Sequence, residues 1–178
     1  GSGGLASSAR RGLVVVDTST LPIAVKERAR DILAEVGVAL MDCPLSGTGA
    51  QAVTKDLAVY ASGEETAYQS CMEVFEGFAR AHYHVGPFGN GSKMKFVANH
   101  LVAIHNVAAA EAMVLGMKAG LDAELIYKVI SDGAGSSRMF EVRGPMMVEG
   151  NYDGATMKNE VWQKDMSIIG AFAKGLDC

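Results

Sequence analysis

Proline is scarce in this chain, four in 178 residues, and cysteine is limited to Cys43, Cys71 and Cys178. An odd number with no Cys-x-x-Cys spacing excludes a disulfide scaffold and a zinc ribbon, and it points to a reducing, cytoplasmic setting. No block of Lys or Arg interrupts the mild acidity: twenty acids face sixteen bases, for a net charge of −4. A phosphate-backbone binder would therefore have no electrostatic footprint. The longest mostly apolar run, 96–117, carries Asn99, His100, His105, Asn106 and Glu111 and is expected to be too polar to span a membrane. The opening Gly1-Ser2-Gly3-Gly4 has neither a basic start nor an apolar signal core. Neither nucleic acid nor a membrane is expected as a partner.

What is present is glycine, at 21 residues, in a chain that is 49% hydrophobic and 20% charged. That composition suits one globular domain or two small ones. The run Leu13-Val14-Val15-Val16-Asp17 reads as a strand buried on both faces. Helical spacing follows over 23–35 and ends at Gly37. Further strands are expected over 38–42, 57–61 and 81–85, with a helix over 65–75. After the glycine-rich stretch 86–91 no strand pattern recurs. Helices are expected over 92–119, from an Asp122 cap to 131, over 137–143 and over 163–174. The fold class is α/β plus all-α, with an α/β part over 1–90 and a helical part over 91–178.

Gly47-Thr48-Gly49-Ala50-Gln51-Ala52 fits G-x-G-x-x-A, but the next strand begins too soon for a crossover helix, so the match reads as a decoy. Ser46 is no nucleophile elbow either, because Pro44 stands where a glycine is required. Ser46, Gly47, Thr48 and Gly49 lie at the end of a buried strand, where hydroxyls and N–H groups hold a carboxylate or phosphate. Taken alone, that segment reads more simply as a plain turn. Lys95 and Asn99 share a helix face with Ser92 and Asn106. The helix N-terminus and burial both lower a lysine's pKa, which suits proton exchange near neutral pH. In isolation, a snorkelling lysine and a surface asparagine are the commoner case. His82 and His84 lack a third ligand and read as a solvated edge, the methionines as core filler, and Lys164-Asp165 as a helix start capped by Asp165.

The order of these blocks carries more than any one of them. Asp17-Thr18-Ser19-Thr20, Pro44-Leu45-Ser46-Gly47-Thr48, Gly89-x-Gly91-x-x-x-Lys95-x-x-x-Asn99 and Lys164-Asp165 together resemble the β-hydroxyacid dehydrogenase family. This is the 3-hydroxyisobutyrate dehydrogenase and tartronate semialdehyde reductase type, with 6-phosphogluconate dehydrogenase more distant. The resemblance implies the distal half of a Rossmann-type domain followed by a helical domain on a long connecting helix. It implies Lys95 as the catalytic lysine, Ser46, Gly47, Thr48 and Asn99 as substrate-binding, and Thr20 and Lys164 as cofactor-binding.

It further implies NAD or NADP as cofactor, a small carboxylate as substrate, and a homo-oligomer, dimer or tetramer. The reaction expected is hydride transfer between the nicotinamide and a short β-hydroxy acid or its semialdehyde. Pro22 comes one residue early for the family, Ala98 replaces a common asparagine, and Thr48 replaces a frequent glycine. The family's G-x-G-x-x-G unit is not found in these residues, so the chain is expected to be a piece of such an enzyme, inactive alone. The rival reading is a non-catalytic fragment or oligomerisation module whose long apolar helix only packs.

Overall fold

The computed structural model describes residues 3–153 and 158–178, so Gly1 and Ser2 of the opening lie outside the described residues. The chain divides into two compact units, Gly1–Ala98 with Thr156–Cys178, and Asn99–Ala155. This division falls inside the long helix, later than the change from strands to helices at residue 90.

In the first unit, a short helix α1 (Leu5–Ser8) precedes strand β1 (Val14–Asp17), helix α2 (Ile23–Glu35) and strand β2 (Ala39–Asp42). Next come β3 (Leu45–Ser46), α3 (Gly49–Val53), β4 (Ala58–Ala61), α4 (Glu65–Ser70), α5 (Met72–Phe78) and β5 (Ala81–His84). The β1–β2 and β4–β5 pairs are parallel, and β3 runs antiparallel to β4. An Asp42–Ser62 bridge joins the two small sheets. Met41, Cys43, Val59, Ala61 and Phe75 are fully buried between the strands and α4–α5.

Several expectations need correction. β1 is only half-buried along its length, because among the described residues β2 alone pairs with it. The helix expected over 65–75 is two helices meeting at Cys71. The segment 46–49 is not a plain turn: Ser46 ends the two-residue strand β3, and after Gly47 and Thr48 the five-residue helix α3 begins at Gly49. Too short for a dinucleotide crossover, that helix keeps the G-x-G match a decoy. His82 and His84 do not form a solvated edge: both are partly buried around Tyr68, whose hydroxyl lies 2.7 Å from His82 Nδ1 and whose ring stacks on His84.

Helix α6 (Asn90–Lys118) starts in the first unit and continues into the second. Its 29 residues include an 18-residue window of mean hydropathy 1.3, long and apolar enough to cross a membrane by length and composition. The polar residues counted along it therefore do not exclude a span, contrary to the expectation above, because alanine, valine and leucine outweigh them. In the second unit, α7 (Ala123–Ser131) is capped as expected by Asp122, which accepts the Leu125 N–H at 3.0 Å. Helix α8 (Arg138–Glu149) is capped by Ser137, and Ala109, Met113, Ile126 and Phe140 form this unit's core. Helix α9 (Asn159–Lys174) belongs to the first unit, where Phe172 packs its ring 5.2 Å from that of Phe96.

The first turn of α6 lies directly against the strand ends. A Cβ on Gly91 would fall within 2.5 Å of the Asp42 carbonyl and closer still to that of Tyr60. Backbone oxygens cannot yield as a flexible side chain does, so only glycine allows this approach. Gly91→Ala is expected to destabilise the chain by about 1–3 kcal/mol through overpacking. Urea unfolding checks this, and an unchanged midpoint would show that α6 does not need so close a contact.

Candidate active site

Lys95 sits one turn into α6, and its ammonium donates to the Leu45 carbonyl at 2.5 Å. Leu45 immediately precedes Ser46, so the amine is held at the start of the Ser46-Gly47-Thr48 loop. Burial pushes the Lys95 pKa down; Asp165 opposes this, and the Lys164 charge adds to the lowering. Asn99, one turn further along the same helix, is buried.

The loop is locally fixed. Leu45 and Ser46 pair with Val59 and Ala58, and Gly47 then adopts φ +122, a conformation that favours glycine. A Cβ there would also lie 2.6 Å from Leu57 Cδ2. Thr48 and Gln51 form a capping box on α3, in which Gln51 Oε1 accepts the Thr48 N–H at 3.0 Å. Gln51 in turn donates to Asp56 at 3.3 Å. With its N–H occupied by Gln51, Thr48 fixes the loop that begins at Ser46 and Gly47.

Lys164 donates to the Thr20 carbonyl at 2.8 Å and pairs with Asp165 at 2.6 Å. Thr20 follows the carboxyl end of β1, where ligand crevices of parallel sheets open. Asp165 is not a helix cap. Helix α9 begins six residues earlier, at Asn159, and Asp165 lies buried inside it. Sequence reasoning missed it as a charge acting on Lys95. The four-residue spacing of Asp165 and Ile169, both buried, was the available signal. The Leu45 carbonyl left no sequence signal, since every residue carries one.

Among the described residues no group of three or more His, Cys, Asp or Glu side chains could hold a metal ion. Burial pushes the Cys43 thiol up to about 12, which leaves it protonated and inert as a nucleophile at neutral pH.

The lowered Lys95 pKa has a consequence for stability. Between the folded and unfolded values the unfolded chain binds more protons, so stability rises with pH through that window and levels off above the ordinary lysine value, about 10.4. Lys95→Met should abolish this part of the rise, read as the difference between the two chains' urea midpoints at pH 7 and pH 10. Parallel profiles for the two chains would mean that burial does not disfavour the Lys95 charge.

Comparison with known proteins accounts for both halves of the chain. Residues 89–178 match the family model described as NAD-binding of NADP-dependent 3-hydroxyisobutyrate dehydrogenase. Residues 1–86 match the NAD binding domain of 6-phosphogluconate dehydrogenase. L-threonate dehydrogenase of Cupriavidus necator is 34% identical over 95% of this chain and 57% of its own length. The Haemophilus influenzae L-threonate dehydrogenase is 33% identical over 99% of the chain and 58% of its own. The crystal structure of 3-hydroxyisobutyrate dehydrogenase from Salmonella typhimurium superposes with TM-score 0.88 at 31% identity, covering 98% of this chain and 61% of that one. Psf3 in complex with NADP+ and 2-OPP follows at TM-score 0.86 and 25% identity, covering 93% of this chain and 58% of its own. The chain thus spans a little under three fifths of the curated relatives it matches. With a dehydrogenase model matching each half and the same fold in a solved relative, the chain belongs to the β-hydroxyacid dehydrogenase family.

Proposed function

We propose that the enzyme to which these residues belong moves a hydride between NAD or NADP and a short β-hydroxy acid, with Lys95 as proton carrier. The observation that carries this reading is the Lys95 amine, half-buried and held on the Leu45 carbonyl beside Ser46. A lysine whose pKa burial lowers exchanges a proton more readily near neutral pH than an exposed one. The acid in the name of the L-threonate dehydrogenases joins a carboxylate to a nearby hydroxyl.

In the oxidative direction, neutral Lys95 takes the proton of the substrate hydroxyl; in the reverse direction its ammonium returns it. Ser46 and the Gly47 backbone hold the carboxylate, within the loop that Thr48 shapes, and Asn99 orients the hydroxyl. Orientation of this kind supplies much of the rate. The Lys95 charge also steadies the alkoxide as it develops. The Lys164 ammonium donates to the Thr20 carbonyl at the carboxyl end of β1, and these two residues are the polar groups placed against a nicotinamide cofactor in this reading. When bound, NAD or NADP supplies the hydride acceptor or donor. The 178 residues alone, without a G-x-G-x-x-G loop among them, are expected not to turn over.

A homo-oligomer, dimer or tetramer, is supported by the exposed apolar residues Val97, Leu101, Ile104, Val107 and Leu115 along α6. The same residues are the basis of the rival reading, a packing or oligomerisation module without catalysis. The three free thiols suit a reducing, cytoplasmic compartment.

Lys95→Met, in an enzyme extended to the length of its relatives, separates the two readings. Removing a general acid–base typically lowers the rate about 10²–10⁴-fold, and kcat should fall that far with cofactor affinity little changed. Near-normal turnover in that variant would make Lys95 structural. Ser46→Ala should instead act mainly on KM for the acid. A lost hydrogen bond to a charged group is worth about 1.5–3 kcal/mol, or roughly ten- to a hundredfold. Equal use of acids and neutral alcohols by the parent enzyme would contradict the carboxylate loop.

A further inference from the structure

Beneath the candidate site lies a buried charged network that the proposed mechanism does not use. Lys26 and Asp42 have side chains 1% and 0% exposed, with Lys26 Nζ 2.7 Å from Asp42 Oδ1 and 3.3 Å from Asp17 Oδ2. Asp42 Oδ2 accepts the Ser92 backbone N–H at 2.7 Å, and Oδ1 accepts the Ser92 hydroxyl at 2.9 Å. The Ser62 hydroxyl donates to the Asp42 carbonyl at 3.1 Å and accepts the Gly91 N–H at 2.9 Å. The Asp42 carboxylate therefore engages the Ser92 N–H directly, and Ser62, whose hydroxyl also lies 3.3 Å from Asp42 Oδ2, links Asp42 to the Gly91 N–H.

Two routes lead from Asp42 to Lys95, and they meet. Along the first, the carboxylate fixes Ser92, and three residues of helix carry the chain to Lys95. Along the second, the backbone runs three residues from Asp42 to Leu45, whose carbonyl receives the Lys95 ammonium. The result is a closed ring of backbone and hydrogen bonds with Asp42 at one end and the amine at the other. Asp17, the third member of the ion cluster, accepts the Ser19 N–H at 2.9 Å in the turn that leads to Thr20.

We propose that Asp42, paired with Lys26, is a positioning residue for Lys95: its carboxylate sets where the first turn of α6 stands over the Leu45–Ser46 strand, and so where the amine lies. Catalytic relevance rests on the reading of Lys95 as the proton carrier; the positional claim does not. Misplacing a reacting group by about 1 Å can lower a rate roughly 10²-fold, so a ring that fixes the amine bears directly on rate.

The test uses the 178-residue chain with isotope-labelled lysine, and NMR of the Lys95 ammonium and ε-methylene assigned through Lys95→Arg. The charged and titratable groups facing Lys95 include Lys164 and Asp165 of α9, which stay unchanged throughout. In the parent chain the Lys95 ammonium signal should be protected from exchange and titrate below the exposed lysines. Asp42→Asn should lose that signal and move the midpoint upward, toward the exposed lysines, as the amine leaves the Leu45 carbonyl for water. Ser92→Ala, which keeps the backbone N–H bond and removes only the hydroxyl, should shift it less in the same direction. Ser92→Thr should restore the parent behaviour.

Leu33→Ala, which destabilises a separate core cluster of the same unit, formed with Val38 and Leu40, should leave Lys95 unchanged. If Asp42→Asn does not fold, the two Ser92 variants decide. Folded variants with a parent-like Lys95 titration would overturn the proposal, and so would a Leu33→Ala chain that reproduced their shift. Loss of the proton-carrier reading would show separately, as an active Lys95→Met enzyme with this positional result intact.

Discussion

A lysine and a carboxylate wholly removed from water are tolerated only where every charge and lone pair meets a partner, because stripping hydration from each ion costs several kcal/mol. Lys26 and Asp42 meet that condition by drawing on most of the first unit. Asp17 contributes from the end of β1, Ser62 from just beyond β4, and Ser92 from the start of α6. Elements distant in sequence are thereby brought to one point at the carboxyl ends of the parallel strands. This is also where a sheet of this kind opens its ligand crevice. The candidate site is assembled directly above this pair.

The site's second property is electrostatic asymmetry. Three charged side chains, Lys95, Lys164 and Asp165, influence one another, and two are cations. Burial and the neighbouring Lys164 disfavour a charged Lys95, and Asp165 only partly offsets them. The outcome is an amine with a weakened hold on its proton beside a loop whose polar groups suit an anion. In the proposed reading, proton exchange and carboxylate recognition draw on the same small region, which is what oxidation of a hydroxy acid requires.

Much of the fold was legible in the sequence, because apolar runs, caps and glycines act locally. The β1 run, the Asp122 cap and the long helix follow from short-range rules, and the structure agrees to within a residue or two at most of their bounds. What was not legible depends on tertiary partners. Lys26 reads as one more polar residue of an amphipathic helix, and nothing near it in sequence announces Asp42 sixteen residues on. Asp165 was read as a cap because a carboxylate before an apolar stretch commonly is one; its burial inside α9 depends on what that helix packs against. His82 and His84 misled for the same reason, since alternation on a strand says which face they share but not that Tyr68 covers it. Thr48 stands in the Ser46 loop in the sequence, yet only the structure shows that Gln51 occupies its N–H.

The central claim is that Lys95 meets the reacting hydroxyl while the loop holds the carboxylate. The most direct measurement is a crystal structure of the enzyme, extended to the length of its relatives, with NAD or NADP and a short β-hydroxy acid bound. The account predicts Lys95 Nζ at hydrogen-bond distance, about 3 Å, from the substrate hydroxyl, with the carboxylate against Ser46 and Gly47. A substrate bound with its hydroxyl on another side chain, and Lys95 still turned to the Leu45 carbonyl, would contradict it.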